Sequence, residues 1–258
     1  MTVPLLAATE PAGLADAPLV VLGPSLGTST ILWDATASAL QRTFRTISWD
    51  LPGHGRSPAA TEPFTMDELA EGVVNVLDEL GEPRALYAGV SLGGAVGLAL
   101  ALSHPERVTA AAIVCSGAVI GTPQGWADRA AAVRSQGTPS LVVPSAQRWF
   151  ATDSMAVSPD ITGRLLHSLR DADDESYALC CGALAGYDVR SELARLTMPI
   201  LTVWGEFDEV TPQASAAEVA HGVNNGRVAE VAKASHLAPA EQPAAVAELL
   251  TAFFEENR

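Results

Sequence analysis

The chain has 258 residues, 48% of them hydrophobic and 17% charged, with a formal net charge of −15. Apolar content on that scale supplies a full core and excludes a disordered chain, and the acidic balance excludes nucleic acid and anionic membrane as general partners. Three cysteines, at 115, 180 and 181, form no disulfide framework and point to a reducing compartment, the cytoplasm.

The first residues, MTVPLLAATEP, lack the basic start and apolar stretch of a signal peptide. The first apolar run, 19–23, leads into a glycine-rich loop, GPSLGTS, and the second, 44–49, into DLPGHGRS at 50–57. Thr65, Met66, Asp67 and Glu68 read as a capping box, after which Leu69, Val73, Val76, Leu77 and Leu80 repeat at helical spacing until Gly81 and Pro83 stop the helix. Further apolar runs follow at 85–89, 110–115, 200–204 and 227–231. A last helix opens near Pro243 and carries Val246, Leu249, Leu250, Phe253 and Phe254 on one stripe.

Short continuous runs without alternation suit parallel strands covered on both faces. Strand alternating with helix then predicts an α/β fold, a mostly parallel, doubly wound sheet. One region breaks the alternation. Between 121 and 190 no core strand is visible, and helix-favouring segments with isolated tryptophans dominate. The expected organisation is therefore a core made of 1–120 and 191–258 with a helical lid, 121–190, inserted at the carboxyl edge of the strands. The apolar stretches 92–102 and 109–119 fall short of the roughly 18 residues of a membrane span and read as core.

GVSLG, residues 89–93, stands between a predicted strand and a predicted helix. That is the setting of a nucleophile elbow, in which a serine is held on a strained turn with glycines where strand and helix meet. Ser91 is the candidate nucleophile. A serine hydroxyl needs a base to take its proton and an acid to orient that base, and in this architecture the partners follow in the order acid, histidine. GEFDEVTP follows the run 200–204 and offers Asp208, with Glu206, Glu209 and the more distant Asp188 as competing acids. KASHLAPAEQP follows the run 227–231 and offers His236. Of the other histidines, His54 lies in a turn, His104 and His221 at predicted helix ends and His167 in the lid. Backbone N–H groups of Leu92 and Leu26 are the expected oxyanion donors, with Ser25 as the alternative to Leu26.

Together these residues resemble the α/β-hydrolase superfamily. PSLGTSTILWD, WADR followed by VRSQG, RWFA and YDVRSEL make the chain similar, over nearly its whole length, to the 3-oxoadipate enol-lactonases. The resemblance implies hydrolysis of an enol-lactone in bacterial aromatic catabolism, with no metal and no cofactor. It implies Ser91 as nucleophile, His236 as base and then acid, Asp208 as orienting acid, and Trp126 as a wall of the lactone pocket. The small-molecule substrate would carry a carboxylate, so a lid arginine, Arg129 or Arg134, is the expected partner. Both could instead be solvated helix-face residues, and Trp126 could be a core anchor. In one departure, Pro24 stands where family members often have Asn, so one N–H is missing. Two other readings stay open: another carboxylic-ester hydrolase, a carbon–carbon bond hydrolase or a perhydrolase on the same scaffold, and a ligand-binding receptor with a slow triad.

Overall fold

The computed structural model describes residues 2–258. Seven strands form one sheet: β1 (Ala12–Gly13), β2 (Leu19–Gly23), β3 (Arg45–Ser48), β4 (Ala85–Val90), β5 (Val108–Val114), β6 (Ile200–Gly205) and β7 (Gly226–Val231). Their order is β1-β3-β2-β4-β5-β6-β7, and only β1 runs antiparallel, against β3. The parallel strands match the expected runs within a few residues. The antiparallel β1 has no signal in the sequence, because a two-residue strand is too short to show any period.

Connectivity decides where the helices lie. Helix α1 (Asp34–Leu40) links β2 to β3 in one direction across the sheet, while α2 (Met66–Glu79) and α3 (Leu92–Ser103) carry the chain back the other way. Right-handed crossovers in opposite directions put α1 on one face and α2 with α3 on the other. The loop after β2 and the turn after β4 therefore diverge, leaving a crevice at the carboxyl edge between them.

Helix α2 is capped as the sequence predicts: Thr65 Oγ1 accepts the Glu68 N–H at 3.1 Å, and Glu68 Oε2 accepts the Thr65 N–H at 2.8 Å. Gly81, at φ +70°, closes its carboxyl end. Helix α3 is buried all round from Leu92 to Ala101, which explains why the run is apolar without amphipathic period.

Between β5 and β6 the chain makes a purely helical excursion: α4 (Pro123–Gln136), α5 (Val142–Trp149), α6 (Ser154–Val157), α7 (Pro159–Asp171) and α8 (Asp174–Ala185), with α4 packed on α8. Its two ends are clipped together, since the Val189 N–H donates to Ala118 O at 2.9 Å and the Tyr187 hydroxyl to Gly117 O at 3.1 Å. After β6 come α9 (Gln213–Gly222), α10 (Ala238–Glu241) and α11 (Pro243–Glu256); α11 packs on α1. Among the described residues no helix is long and apolar enough to cross a membrane.

The loop after β2 and the first turn of α3 meet closely at Gly93. A β-carbon there would stand 2.6 Å from Gly23 C and Pro24 O, both backbone atoms that cannot swing aside. Gly93→Ala should therefore cost roughly 1–3 kcal/mol, the usual cost of overpacking. Urea unfolding checks this, and a midpoint equal to wild type would show that the two backbones are free to separate.

Candidate active site

Ser91 is the single residue between β4 and α3, and its backbone sits at φ +55°, ψ −116°. Such a conformation costs a β-carbon-bearing residue on the order of 1–3 kcal/mol and persists only where the surroundings over-determine it. Here they do. The Ser91 N–H donates to Val114 O at 3.0 Å, and its carbonyl accepts from the Ser116 hydroxyl at 2.7 Å and the Ala95 N–H at 3.0 Å. The Ser91 hydroxyl has no hydrogen-bond partner among the described residues and opens into a cavity of about 320 Å³. That is at the small end of small-molecule sites.

Asp208 lies in the loop after β6 and His236 in the loop after β7, both buried, with relative exposures of 4% and 3%. His236 Nδ1 is 3.0 Å from Asp208 Oδ2 and 3.1 Å from Oδ1. An ionised carboxylate only accepts, so the imidazole carries its proton on Nδ1 and leaves Nε2 as an acceptor. Asp208 is itself held: Oδ1 accepts the N–H groups of Val210 and Thr211 at 2.8 and 3.1 Å, and Oδ2 accepts the Thr211 hydroxyl at 2.7 Å. Burial pushes its pKa up, but His236 and Thr211 outweigh burial and hold the carboxyl below the ordinary range. The competing acids lie elsewhere: Glu206 accepts the Lys233 N–H, Glu209 is exposed, and Asp188 pairs with Arg190 at the surface.

Ser91, His236, Ser25 and Leu26 line the same cavity. The N–H groups of Leu26 and Leu92 meet no acceptor among the described residues, Leu92 because it opens α3. Pro24 supplies no N–H, yet its carbonyl accepts the Gly93 N–H at 2.9 Å and so ties the glycine-rich loop to the turn that carries Ser91.

His54 serves that loop. Nδ1 donates to Pro52 O at 2.8 Å, and Nε2 accepts the Gly27 N–H at 3.2 Å, a pairing that requires the neutral ring. Burial lowers its pKa to about 4. The ring also stacks on Tyr177 of α8, with centroids 6.0 Å apart.

The helical excursion supplies the far wall. Trp126 lines the cavity, donating its indole N–H to Ile120 O, and the Arg129 guanidinium lies 5.5 Å from the centre of its ring. Arg129 also lines the cavity and donates to the Tyr177 hydroxyl at 3.3 Å. Arg134 does not: it is half exposed and makes a two-pronged pair with Glu175, which removes it from the expected substrate contacts. In its place stand Arg148 and Trp149 at the end of α5. Neither was assigned a role from the sequence, although both fall inside RWFA, the stretch that carries part of the resemblance. Arg148 reaches the cavity mouth, where partial burial and then the charge of Arg129 lower its pKa while leaving it cationic. Neither Arg129 nor Arg148 pairs with a carboxylate among the described residues.

Comparison with known proteins shows the family. The model of the alpha/beta hydrolase fold family matches residues 18–243. The chain is 36% identical to 3-oxoadipate enol-lactonase 2 of Acinetobacter baylyi, over 90% of this chain and 87% of that one. It is 33% identical to 3-oxoadipate enol-lactonase 1 of the same organism, over 93% and 90%. Among solved structures, the enol-lactonase from Burkholderia xenovorans superposes with a TM-score of 0.93 at 32% identity, over 97% of this chain and 96% of that one.

The buried neutral His54 makes stability depend on pH. Its folded pKa, about 4, lies below the ordinary 6.5, so the unfolded chain binds the proton more readily. The stability is fully present above about 6.5, falls as the pH drops toward 4, and amounts to about 3 kcal/mol. Urea midpoints between pH 6.5 and 4.5 should fall more steeply for wild type than for His54→Gln; parallel slopes would refute the neutral assignment.

Proposed function

The chain belongs to the α/β-hydrolase fold family and is a carboxylic ester hydrolase, and from that premise we propose that its substrate is 3-oxoadipate enol-lactone. What carries the reading is one cavity that joins Ser91 and the Asp208-bound His236 to two arginines without carboxylate partners. In a protein of charge −15, unpaired guanidiniums in a cavity suit a carboxylate-bearing substrate. The two enol-lactonases of Acinetobacter baylyi support the choice of ring.

In this mechanism His236 Nε2 takes the Ser91 proton as the oxygen attacks the ring carbonyl, and Asp208 holds the imidazolium that forms. The tetrahedral oxyanion accepts the N–H groups of Leu26 and Leu92. Collapse breaks the ring C–O bond. The leaving oxygen is an enolate, a better leaving group than an alkoxide, and it takes the proton from His236 and becomes the ketone by tautomerisation. Water, deprotonated by the same Nε2, then attacks the acyl-enzyme, and Ser91 leaves with the proton. Arg129 and Arg148 hold the substrate's free carboxylate, while Trp126 and Trp149 wall the ring.

Residues 121–190 act in this reading as a lid over the core formed by 1–120 and 191–258, and the pathway is aromatic catabolism. Three free, buried cysteines suit the reducing cytoplasm in which we place it.

The test is kcat/KM on the enol-lactone beside p-nitrophenyl acetate. A value above about 10⁴ M⁻¹s⁻¹ on the lactone, well above the acetate, is expected, and comparable feeble rates on both would overturn the lactone assignment. Ser91→Ala should lower kcat at least ~10³-fold with the fold intact. Arg148→Gln should raise KM for the lactone about tenfold, the loss of about 1.4 kcal/mol, and leave the neutral acetate within about twofold. An equal effect on both esters would remove Arg148 from carboxylate binding.

A further inference from the structure

Glu241, at the end of α10, stands five residues beyond His236 and belongs to no step of the mechanism above. Its carboxylate is nonetheless fully engaged. Oε1 accepts the Ala151 N–H at 2.7 Å and the Ser154 hydroxyl at 2.6 Å, and Oε2 accepts the Ser235 N–H at 2.7 Å. One oxygen thus grips the strap that leaves α5, immediately after Arg148 and Trp149. The other grips the residue before His236.

Two more contacts join the same two segments, and a third reaches the loop that carries Asp208. The Leu237 N–H donates to Trp149 O at 3.1 Å, and the Ser235 hydroxyl lies 3.2 Å from Arg148 O and 3.2 Å from Phe207 O, next to Asp208. The residues on either side of His236 therefore hang from the backbone carbonyls of Arg148 and Trp149, two residues of the lid-side wall of the cavity. Without Glu241, the Ala151 and Ser235 N–H groups would lose their acceptor, and the strap and the histidine loop would be linked only through neutral bonds. Burial raises the Glu241 pKa while the bonds from Ser154, Ala151 and Ser235 act to lower it; to the ionised carboxylate these bonds are charge-assisted, about twice as strong as neutral ones.

We propose that Glu241 is a positioning residue that sets the lid wall, Arg148 and Trp149, against His236, so that substrate carboxylate and general base are held at a fixed separation. The proposal rests on Ser91 and His236 carrying out ester hydrolysis. Glutamine at 241 keeps one accepting oxygen and presents a donor in place of the other, so it can hold the strap or the histidine loop but not both.

The experiment compares wild type, Glu241→Gln and Ser154→Ala, each normalised to the sites titrated by diisopropyl fluorophosphate. A purely structural role would reduce the number of titratable sites or the melting temperature and leave the constants per site unchanged. For Glu241→Gln we expect kcat per site on p-nitrophenyl acetate to fall at least tenfold and KM for the enol-lactone to rise. Ser154→Ala retains the carboxylate and its grip on Ser235. It should leave kcat on the acetate within twofold while raising KM for the lactone at least threefold. Unchanged constants per site in Glu241→Gln would overturn the proposal; should that variant not fold, an unchanged lactone KM in Ser154→Ala would do so. A wild type that turns over neither substrate would sink the hydrolase reading and this proposal together, whereas an active wild type with unaltered variants would sink this proposal alone.

Discussion

Everything at this site depends on the contact between two stretches of backbone, the loop that leaves β2 and the turn that leaves β4. The bond from the Gly93 N–H to Pro24 O sets their separation, and the Tyr87 hydroxyl, donating to Gly93 O at 2.8 Å, holds the same residue at its next peptide. Only a residue without a β-carbon fits there. The consequence is geometric. Ser91 is pushed into a left-handed conformation at the rim of the sheet, and the N–H groups of Leu26 and Leu92 are left unpaired beside it. Strain and orphaned donors would be defects in a structural loop. In the proposed function they become the means by which a nucleophile and an anion-accepting pair are presented together.

The electrostatics follow the same economy of placement. In a chain with 30 acidic and 15 basic residues, no carboxylate lines the cavity among the described residues, and Asp208 stands behind His236, bonded to it and to Thr211. Arg129 and Arg148, which lack acidic partners among the described residues, leave positive charge at the cavity wall. His54 adds a neutral support: an imidazolium in its place could not accept the Gly27 N–H, so the burial that lowers its pKa also maintains the loop that carries Leu26.

Which parts of this were legible in the sequence follows from the range of the interactions involved. The parallel strands, the capping box at Thr65 and the GVSLG turn are written in local spacing, because the forces that form them act within a few residues. The loops holding Asp208 and His236 were legible because each follows an apolar run that the sheet must place at one edge. The far wall was not. Arg129 and Arg134 sit five positions apart on α4, roughly 140° around a helix of 3.6 residues per turn, so they cannot share a face. Which of the two turns inward is decided by how α4 packs on α8, and Arg134 is drawn outward by Glu175, 41 residues away in the chain. Arg148 and Trp149 were hidden for the same reason: their place at the cavity depends on the contacts that tie the end of α5 and the strap after it to the histidine loop, some 90 residues away in the chain.

That tie bears on how one scaffold holds different substrates. The lid-like excursion is clipped to itself at Ala118 and Val189 and hangs over the core as one piece, so its helices can change their side chains without disturbing the sheet. A wall that moved freely, however, would let the substrate's carboxylate and its carbonyl take up independent positions, and a misplacement of about 1 Å can cost on the order of 100-fold in rate. Bonding the wall's own carbonyls to the residues flanking His236 removes that freedom. The cost is that an exchange at Arg148 or Trp149 that shifts the strap also shifts the base. In the proposed function, exchanges at Trp126 and Arg129, on α4, alter the pocket without touching that tie, whereas exchanges at the end of α5 alter both.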